Sequence, residues 1–203
     1  MVIFKKFDDK AQLHTLEGVA AAALMLTVMI YIIDATSMTP LTSSSSNMHM
    51  ESELGMLGQD ILNNMNYAEP GYDSKLKSDI MNWNGNEYVW NGTNYAEKGA
   101  EDSGRELKNN LTDILAKVLA RKAIAHNVEM TYISTSNNAT YLFSKNMISN
   151  GDPSNNAIKI SRKIALHDED INSTLFPSNL IGDIDPSTNL YNIIDVKIVM
   201  WRI

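Results

Sequence analysis

Two acidic turns carry the side chains that could bind a metal ion. One is the run HDED at residues 167–170, and the other contains Asp183 and Asp185. Carboxylate oxygens are the preferred ligands of hard cations such as Ca²⁺, but neither turn has the ligand spacing of a known calcium loop. Acidic turns are also common on solvated surfaces. We therefore expect no metal site and no bound cofactor.

The motifs of the common enzyme classes are missing from the sequence. The chain has no cysteine, which excludes disulfides, thiolate zinc sites and cysteine nucleophiles. It has neither a glycine-rich phosphate loop nor a nucleophile elbow. The four histidines lie far apart, at His14, His49, His126 and His167. We expect no enzymatic activity; the alternative, an extracellular hydrolase, would need histidines and carboxylates to converge in one pocket.

The composition favours one globular domain with an appendage. The chain has 203 residues, of which 44% are hydrophobic, and its formal net charge is −7. This length and apolar content are sufficient for a hydrophobic core but short for two full domains. Proteins that bind nucleic acids need clustered lysines and arginines. The acidic balance therefore argues against a nucleic-acid partner.

Four Asn-X-Ser/Thr sequons are candidates for N-glycosylation, which adds a bulky, solubilising sugar at the protein surface. They begin at Asn91, Asn110, Asn138 and Asn172. We expect Asn138 at a hairpin tip and Asn91 in a loop, where both would be accessible. Asn110 is expected near the start of a helix, which makes it a weaker candidate.

Residues 66–104 form an irregular stretch that is rich in aromatic side chains. These are Tyr67, Tyr72, Trp83, Tyr88, Trp90 and Tyr95. Such a cluster suits a carbohydrate-binding loop region, and it also suits an aromatic core under a long loop. We favour the aromatic core, with a short strand over residues 88–90.

The N-terminal region contains an uncharged apolar run from Gly18 to Ile33, sixteen residues long. As a helix it would measure about 24 Å, and it would be apolar on every face. It could be the core of a cleaved secretory signal peptide, a signal anchor with the preceding lysines inside, a pilin-type leader whose apolar run is kept for assembly, or a buried helix of a soluble domain.

The residues ahead of the run favour the pilin-type leader. Residues 10–17 read KAQLHTLE, which resembles the class III signal of archaeal type IV pilins and archaellins. The resemblance implies that a prepilin peptidase cleaves next to Ala11 and Gln12, after one or the other. It also implies that Glu17 pairs with the N-terminal amine of a neighbouring subunit. Alternatively, Glu17 lies at the membrane interface, where the helix macrodipole favours an anion.

Hydrophobic periodicity predicts the elements that follow. Pro40 and the serines at 43–46 predict a hinge over residues 39–47. Apolar residues at three-to-four spacing predict helices over 48–65 and 105–125. Alternation of apolar and polar residues predicts strands over 128–134, 140–144 and 157–166. It also predicts a last strand that places Ile194, Val196, Ile198 and Met200 on one face and runs to the final residue.

This order resembles that of type IV pilins, and the closing residues 190–202, LYNIIDVKIVMWR, resemble those of a pilin-like family of euryarchaea. We therefore expect an α+β fold: a long N-terminal hydrophobic helix, kinked near Pro40, followed by a helix packed on an antiparallel β-sheet. The expected organisation is a leader, a transmembrane or assembly helix, a serine-rich hinge and an extracytoplasmic head, over residues 1–11, 12–38, 39–47 and 48–203.

The function that the resemblance implies is that of a structural or adhesive subunit, major or minor, of an archaeal type IV pilus-like surface filament. Its partners would be its own copies through the N-terminal helix, the prepilin peptidase, the pilus assembly machinery and the membrane. It would cross the cell membrane once, with the N-terminus inside, before it joins a filament at the cell surface. The alternative is a monomeric, signal-anchored extracytoplasmic domain of a membrane or surface complex.

Overall fold

Helices precede the long strands in the order of the chain. The computed structural model of the protein describes residues 17–30, 45–100, 104–136, 139–171, 176–178 and 180–202. The chain divides into two units, Met1–Asn47 and Met48–Ile203. The helices are α1 (residues 17–30), α2 (Ser45–Asn66), α3 (Lys75–Met81) and α4 (Asn110–Val118), with short 3₁₀ helices at Ala120–Lys122 and Asp168–Asp170.

The second unit contains a six-stranded sheet with the strand order β2-β1-β4-β3-β6-β5. The strands are β1 (Tyr88–Trp90), β2 (Tyr95–Glu97), β3 (Ile124–Ser136), β4 (Ala139–Ile148), β5 (Ile158–His167) and β6 (Leu190–Arg202). The strands pair antiparallel except at the junction of β1 with β4, which is parallel and consists of Tyr88 opposite Ile148. The sheet is therefore mixed, with β2 at one edge and β5 at the other.

Local capping fixes the bounds of α4. The side chain of Asn109 accepts a hydrogen bond from the backbone N–H of Thr112, and the Thr112 hydroxyl oxygen accepts one from the N–H of Asn109. This reciprocal capping box satisfies donors that a helix start leaves without partners. Ala123, in the left-handed conformation at φ 56°, then turns the chain from the 3₁₀ helix into β3.

One face of the sheet carries the core, because alternate residues of a strand point to the same face. The sheet contributes Val128, Met130, Ile148, Ile164, Ile194, Val196, Ile198 and Met200, and the helices contribute Leu54, Ile61, Leu62, Met65, Leu76, Ile80, Leu111 and Leu115. Helix α2 lies close against β5 and β6 at Gly58, where a Cβ would lie 3.0 Å from Ile160 Cγ1.

The expected fold class is wrong in two respects. Among the described residues no long N-terminal hydrophobic helix is seen, since the apolar helix there covers residues 17–30. The kink expected near Pro40 lies outside the described residues. The sheet is mixed rather than antiparallel, because the chain passes through α4 and β3 before it returns, so that β4 runs in the same direction as β1.

The expected single-pass location in the cell membrane is also wrong. Within the ranges that the structure describes, every helix is too short or too polar to cross a membrane. At about 1.5 Å per residue, the helical residues 17–30 measure about 21 Å, against a hydrocarbon core of about 30 Å.

Candidate functional site

The most unusual surface of the first unit is the apolar segment, helical residues 17–30. Its large side chains are exposed by 53% to 78%, and they are Val19, Leu24, Met25, Leu26, Val28, Met29 and Ile30. A helix that is apolar on all sides is ordinarily buried. The segment therefore presents a continuous hydrophobic surface to whatever surrounds it.

The arrangement of side chains on the apolar segment suits close packing. Ala21, Leu24, Met25, Val28 and Met29 line one hollow along the helix, at the spacing that places residues on a single face. Thr27 is the only residue of the segment after Glu17 with a polar side chain, and its hydroxyl donates to the Ala23 carbonyl oxygen at 2.8 Å. Its hydrogen-bonding requirement is thus met within the helix.

Glu17, the residue that the pilin resemblance assigns to assembly, lies exposed at the start of the described helix. A carboxylate is favoured at a helix N-terminus by the macrodipole. Ala11 and Gln12, the expected processing site, lie outside the described residues.

The aromatic cluster separates into buried and exposed members. Trp83, Tyr88 and Tyr95 are buried, whereas Tyr67 and Tyr72 are exposed by 72% and 76%. Trp90 lies between these extremes, with its ring 5.0 Å from that of Tyr95. The buried members form the aromatic core that the sequence favoured, and Trp90 continues from this core to a surface groove that Tyr95 also lines.

This groove runs between the β1–β2 hairpin and α4 as two adjoining hollows of about 200 and 330 Å³. Trp90, Thr93, Asp113 and Ala116 line both hollows. On the wall, the Asn94 amide donates to Glu106 Oε2 at 2.7 Å, so that its Oδ1 faces away, buried and without a hydrogen-bond partner among the described residues. An indole beside amide and carboxylate groups could hold a small polar ligand.

Beneath the groove, Tyr95 and His126 form a buried hydrogen bond of 2.7 Å between Oη and Nε2. The Ile124 carbonyl can only accept, so His126 Nδ1 donates to it at 3.2 Å, and Nε2 accepts from the tyrosine. Burial raises the pKa of Tyr95 and lowers the pKa of His126. Both groups are therefore neutral at physiological pH, and their hydrogen bond lies in the core.

The expected glycosylation sites differ in their surroundings. Asn91 is exposed in the β1–β2 turn, where its Oδ1 accepts from the backbone N–H groups of Thr93 and Asn94. Its amide nitrogen, the atom that carries a glycan, has no hydrogen-bond partner in the described structure. The Asn110 amide nitrogen instead donates to Asp79 Oδ1 at 2.9 Å. Asn138 and Asn172 lie outside the described residues.

The acidic turns are held by protein groups. Asp170 pairs with Lys77 at 2.7 Å and accepts from the N–H of His167 at 2.7 Å. Asp185 accepts from the hydroxyl and the backbone N–H of Ser187. Among the residues that the structure describes, no three histidine or acidic side chains converge as a metal site would require. Asp170 and Asp185 instead hold their turns through these contacts with neighbouring protein groups.

The comparison with protein families assigns the chain to one family over most of its length. Residues 10–200 match the sequence profile of a family of unknown function, DUF7288. The chain belongs to the DUF7288 family. No curated protein matches it, and neither does any solved structure. The matched residues include the apolar segment and the α+β unit as far as residue 200.

Proposed function

We propose that this DUF7288 chain is a structural subunit of a pilus-like filament, in which copies associate through the apolar segment. The observation that carries the proposal is the exposure, by 53% or more, of every large side chain from Val19 to Ile30. Single exposed apolar residues are normal on a protein surface, but a continuous apolar patch marks an interaction site. Association would remove this patch from water.

The all-round distribution of apolar side chains favours a bundle over a dimer. A single partner helix would cover one stripe, such as the one formed by Leu24 and Val28, and would leave Leu26 and Ile30 exposed. Several neighbours are needed to cover every face of the segment. Each large apolar side chain that leaves water contributes about 1.5–3 kcal/mol. The small side chains at residues 20–23 permit close approach of neighbouring helices.

The resemblance of residues 10–17 to the class III signal supplies the other half of the proposal. Cleavage next to Ala11 and Gln12 by a prepilin peptidase would create a new amine a few residues before Glu17. A pair between this amine and the Glu17 carboxylate of a neighbour would fix the stagger of subunits in the bundle. Besides its own copies and the prepilin peptidase, the chain would interact with the filament assembly machinery.

Sedimentation velocity on the full chain tests the proposal. The double variant Leu24→Asp/Val28→Asp places two carboxylates on the apolar segment, and Met56→Asp/Met48→Asp is the matched control, because both methionines are 60% exposed. We expect large assemblies for the wild type and the control, and a loss of these assemblies for the segment variant. Equal assembly of all three proteins would refute the proposal.

A further inference from the structure

Strand β4 has an unpaired edge over most of its length. Its other edge pairs with β3 from Ala139 to Ile148, but on the outer side the described residues provide one partner only, Tyr88 opposite Ile148. Residues 139–147 therefore leave a row of backbone N–H and C=O groups without a strand partner. At roughly 3.4 Å per residue this edge is about 30 Å long, which is long enough to template a further strand.

Apolar side chains lie on both faces of this edge. Tyr141, Leu142 and Phe143 are exposed by 50%, 73% and 45%. Because side chains alternate along a strand, Tyr141 and Phe143 point to one face, whereas Leu142 points to the other. A partner that lies flat on one face cannot cover all three side chains. A strand added at the edge can, because its own side chains flank both faces.

The edge strand β5 shows how an exposed strand edge is normally protected. The outer strand β5 carries three cationic residues, Lys159, Arg162 and Lys163, and charges of this kind discourage edge-to-edge pairing. Over residues 139–144, β4 carries no charge. The free edge of β5 thus carries cationic residues, whereas the unpaired side of β4 carries no charge over residues 139–144.

We infer that β4 pairs antiparallel with β4 of a second copy of this chain, about a two-fold axis at Leu142. In this register Leu142 meets its own copy, and Phe143 faces Tyr141 of the second chain on both sides of the axis. Aromatic cross-strand pairs are stabilising. The single charge, Lys145, lies opposite Ala139, so that no like charges meet. Such a self-complementary contact is isologous, and it does not depend on the apolar segment.

A charge-exchange experiment tests both the contact and its register. The background is the full chain with Leu24→Asp/Val28→Asp, which removes association through the apolar segment. Leu142→Lys and Leu142→Glu place like charges directly opposite each other at the two-fold axis. Met56→Lys and Met56→Glu, at a site that is 60% exposed, are the controls. Sedimentation velocity at about 100 μM measures the dimer fraction, and thermal unfolding checks each fold.

We expect the background chain and both Met56 variants to dimerise, and each Leu142 variant to be monomeric at the same concentration. An equimolar mixture of the two Leu142 variants should recover the dimer, because lysine and glutamate then meet at the axis. A monomeric background chain would overturn the inference. So would undisturbed dimers of the single Leu142 variants, or a mixture that stays monomeric. None of these outcomes bears on filament assembly through the apolar segment.

Discussion

The Asp79 carboxylate accepts a hydrogen bond of 2.7 Å from the backbone N–H of Leu111, so that a side chain of α3 caps the first turn of α4. Its second oxygen accepts from the Asn110 amide at 2.9 Å. Asp79 is only 4% exposed, and water therefore cannot replace it. Together with the capping box of Asn109, this contact joins the two helices and positions the wall of the Trp90 groove.

Asp79→Ala should lower the free energy of unfolding by about 1–3 kcal/mol, because it leaves buried helix N–H donors without an acceptor. Asp113→Ala is the control, since Asp113 lies in the first turn of the same helix but is exposed. Asp113→Ala should lower the free energy of unfolding by only about 0.3–1 kcal/mol, the size of the helix macrodipole effect. Urea denaturation measures both values, and equal losses would show that Asp79 is not a specific cap.

Two glycines of α2 should respond to substitution in opposite directions. A Cβ at Gly55 would lie 3.9 Å from Ile158, an ordinary contact, whereas at Gly58 it would crowd Ile160 and Met200. Gly55→Ala should stabilise the protein by about 0.5–1 kcal/mol, because alanine loses less backbone entropy in a helix. Gly58→Val should destabilise it by about 1–3 kcal/mol through overpacking. Thermal unfolding of the two variants distinguishes them, and similar shifts would contradict the close helix–sheet approach.

The Lys77–Asp170 pair should give the protein a defined sensitivity to acid. Burial alone would raise the pKa of Asp170, but hydrogen bonds from Lys77 and the His167 N–H, with the charge of Lys77, outweigh it and hold this pKa below its usual value. A carboxylate with a lowered pKa stabilises the fold above its unfolded pKa of about 3.9. This stabilisation is lost as the pH falls through the lower, folded value.

Asp170→Asn should therefore cost about 1–3 kcal/mol at pH 7 and at pH 5, and the difference from the wild type should shrink at pH 3. Asp152→Asn, in an exposed loop, is the control and should leave stability unchanged at each pH. Urea titrations at the three pH values provide the measurement. A deficit of Asp170→Asn that stays constant down to pH 3 would show that its carboxylate charge is unimportant.

Intact-mass analysis of the protein from its own cells tests the processing that the class III signal implies. We expect the chain to begin at Gln12 or Leu13, after cleavage behind Ala11 or Gln12. Substitution of Ala11 by Asp should block cleavage, because the peptidase is expected to require a small residue there. A wild-type chain that retains residues 1–10 would rule out pilin-type processing.

The sequence predicts best the strands in which apolar and polar residues alternate. The strand predicted from Ile194 onwards is found as β6, which begins four residues earlier, at Leu190. The alternation of apolar and polar residues from Ile194 to Ile198 indicates a strand rather than a helix. The helix expected over 105–125 starts five residues later. Residues 105–107 bond instead to β2, through the N–H of Glu97 to the Arg105 carbonyl and the N–H of Leu107 to the Tyr95 carbonyl. This tertiary pairing overrides the helical propensity of the local sequence.

The two candidate interaction surfaces, the apolar segment and the unpaired edge of β4, also differ in how far the sequence predicts them. The apolar segment is evident from composition, since its exposed residues are consecutive in the chain. The open edge of β4 is not, because it depends on which strands become neighbours. The one sequence signal is the run Tyr141-Leu142-Phe143, which interrupts the polar–apolar alternation expected of a half-buried strand.

Water accessibility of residue 25 in the assembled protein tests whether copies of the chain associate through the apolar segment. The chain has no cysteine, so Met25→Cys and Met56→Cys each introduce a unique thiol at a site that is 78% or 60% exposed in the single chain. A water-soluble maleimide should label both thiols in the dissociated protein. In purified assemblies, we predict that the thiol at 25 is protected while the thiol at 56 remains reactive. Full labelling at residue 25 in intact assemblies would contradict association through the apolar segment.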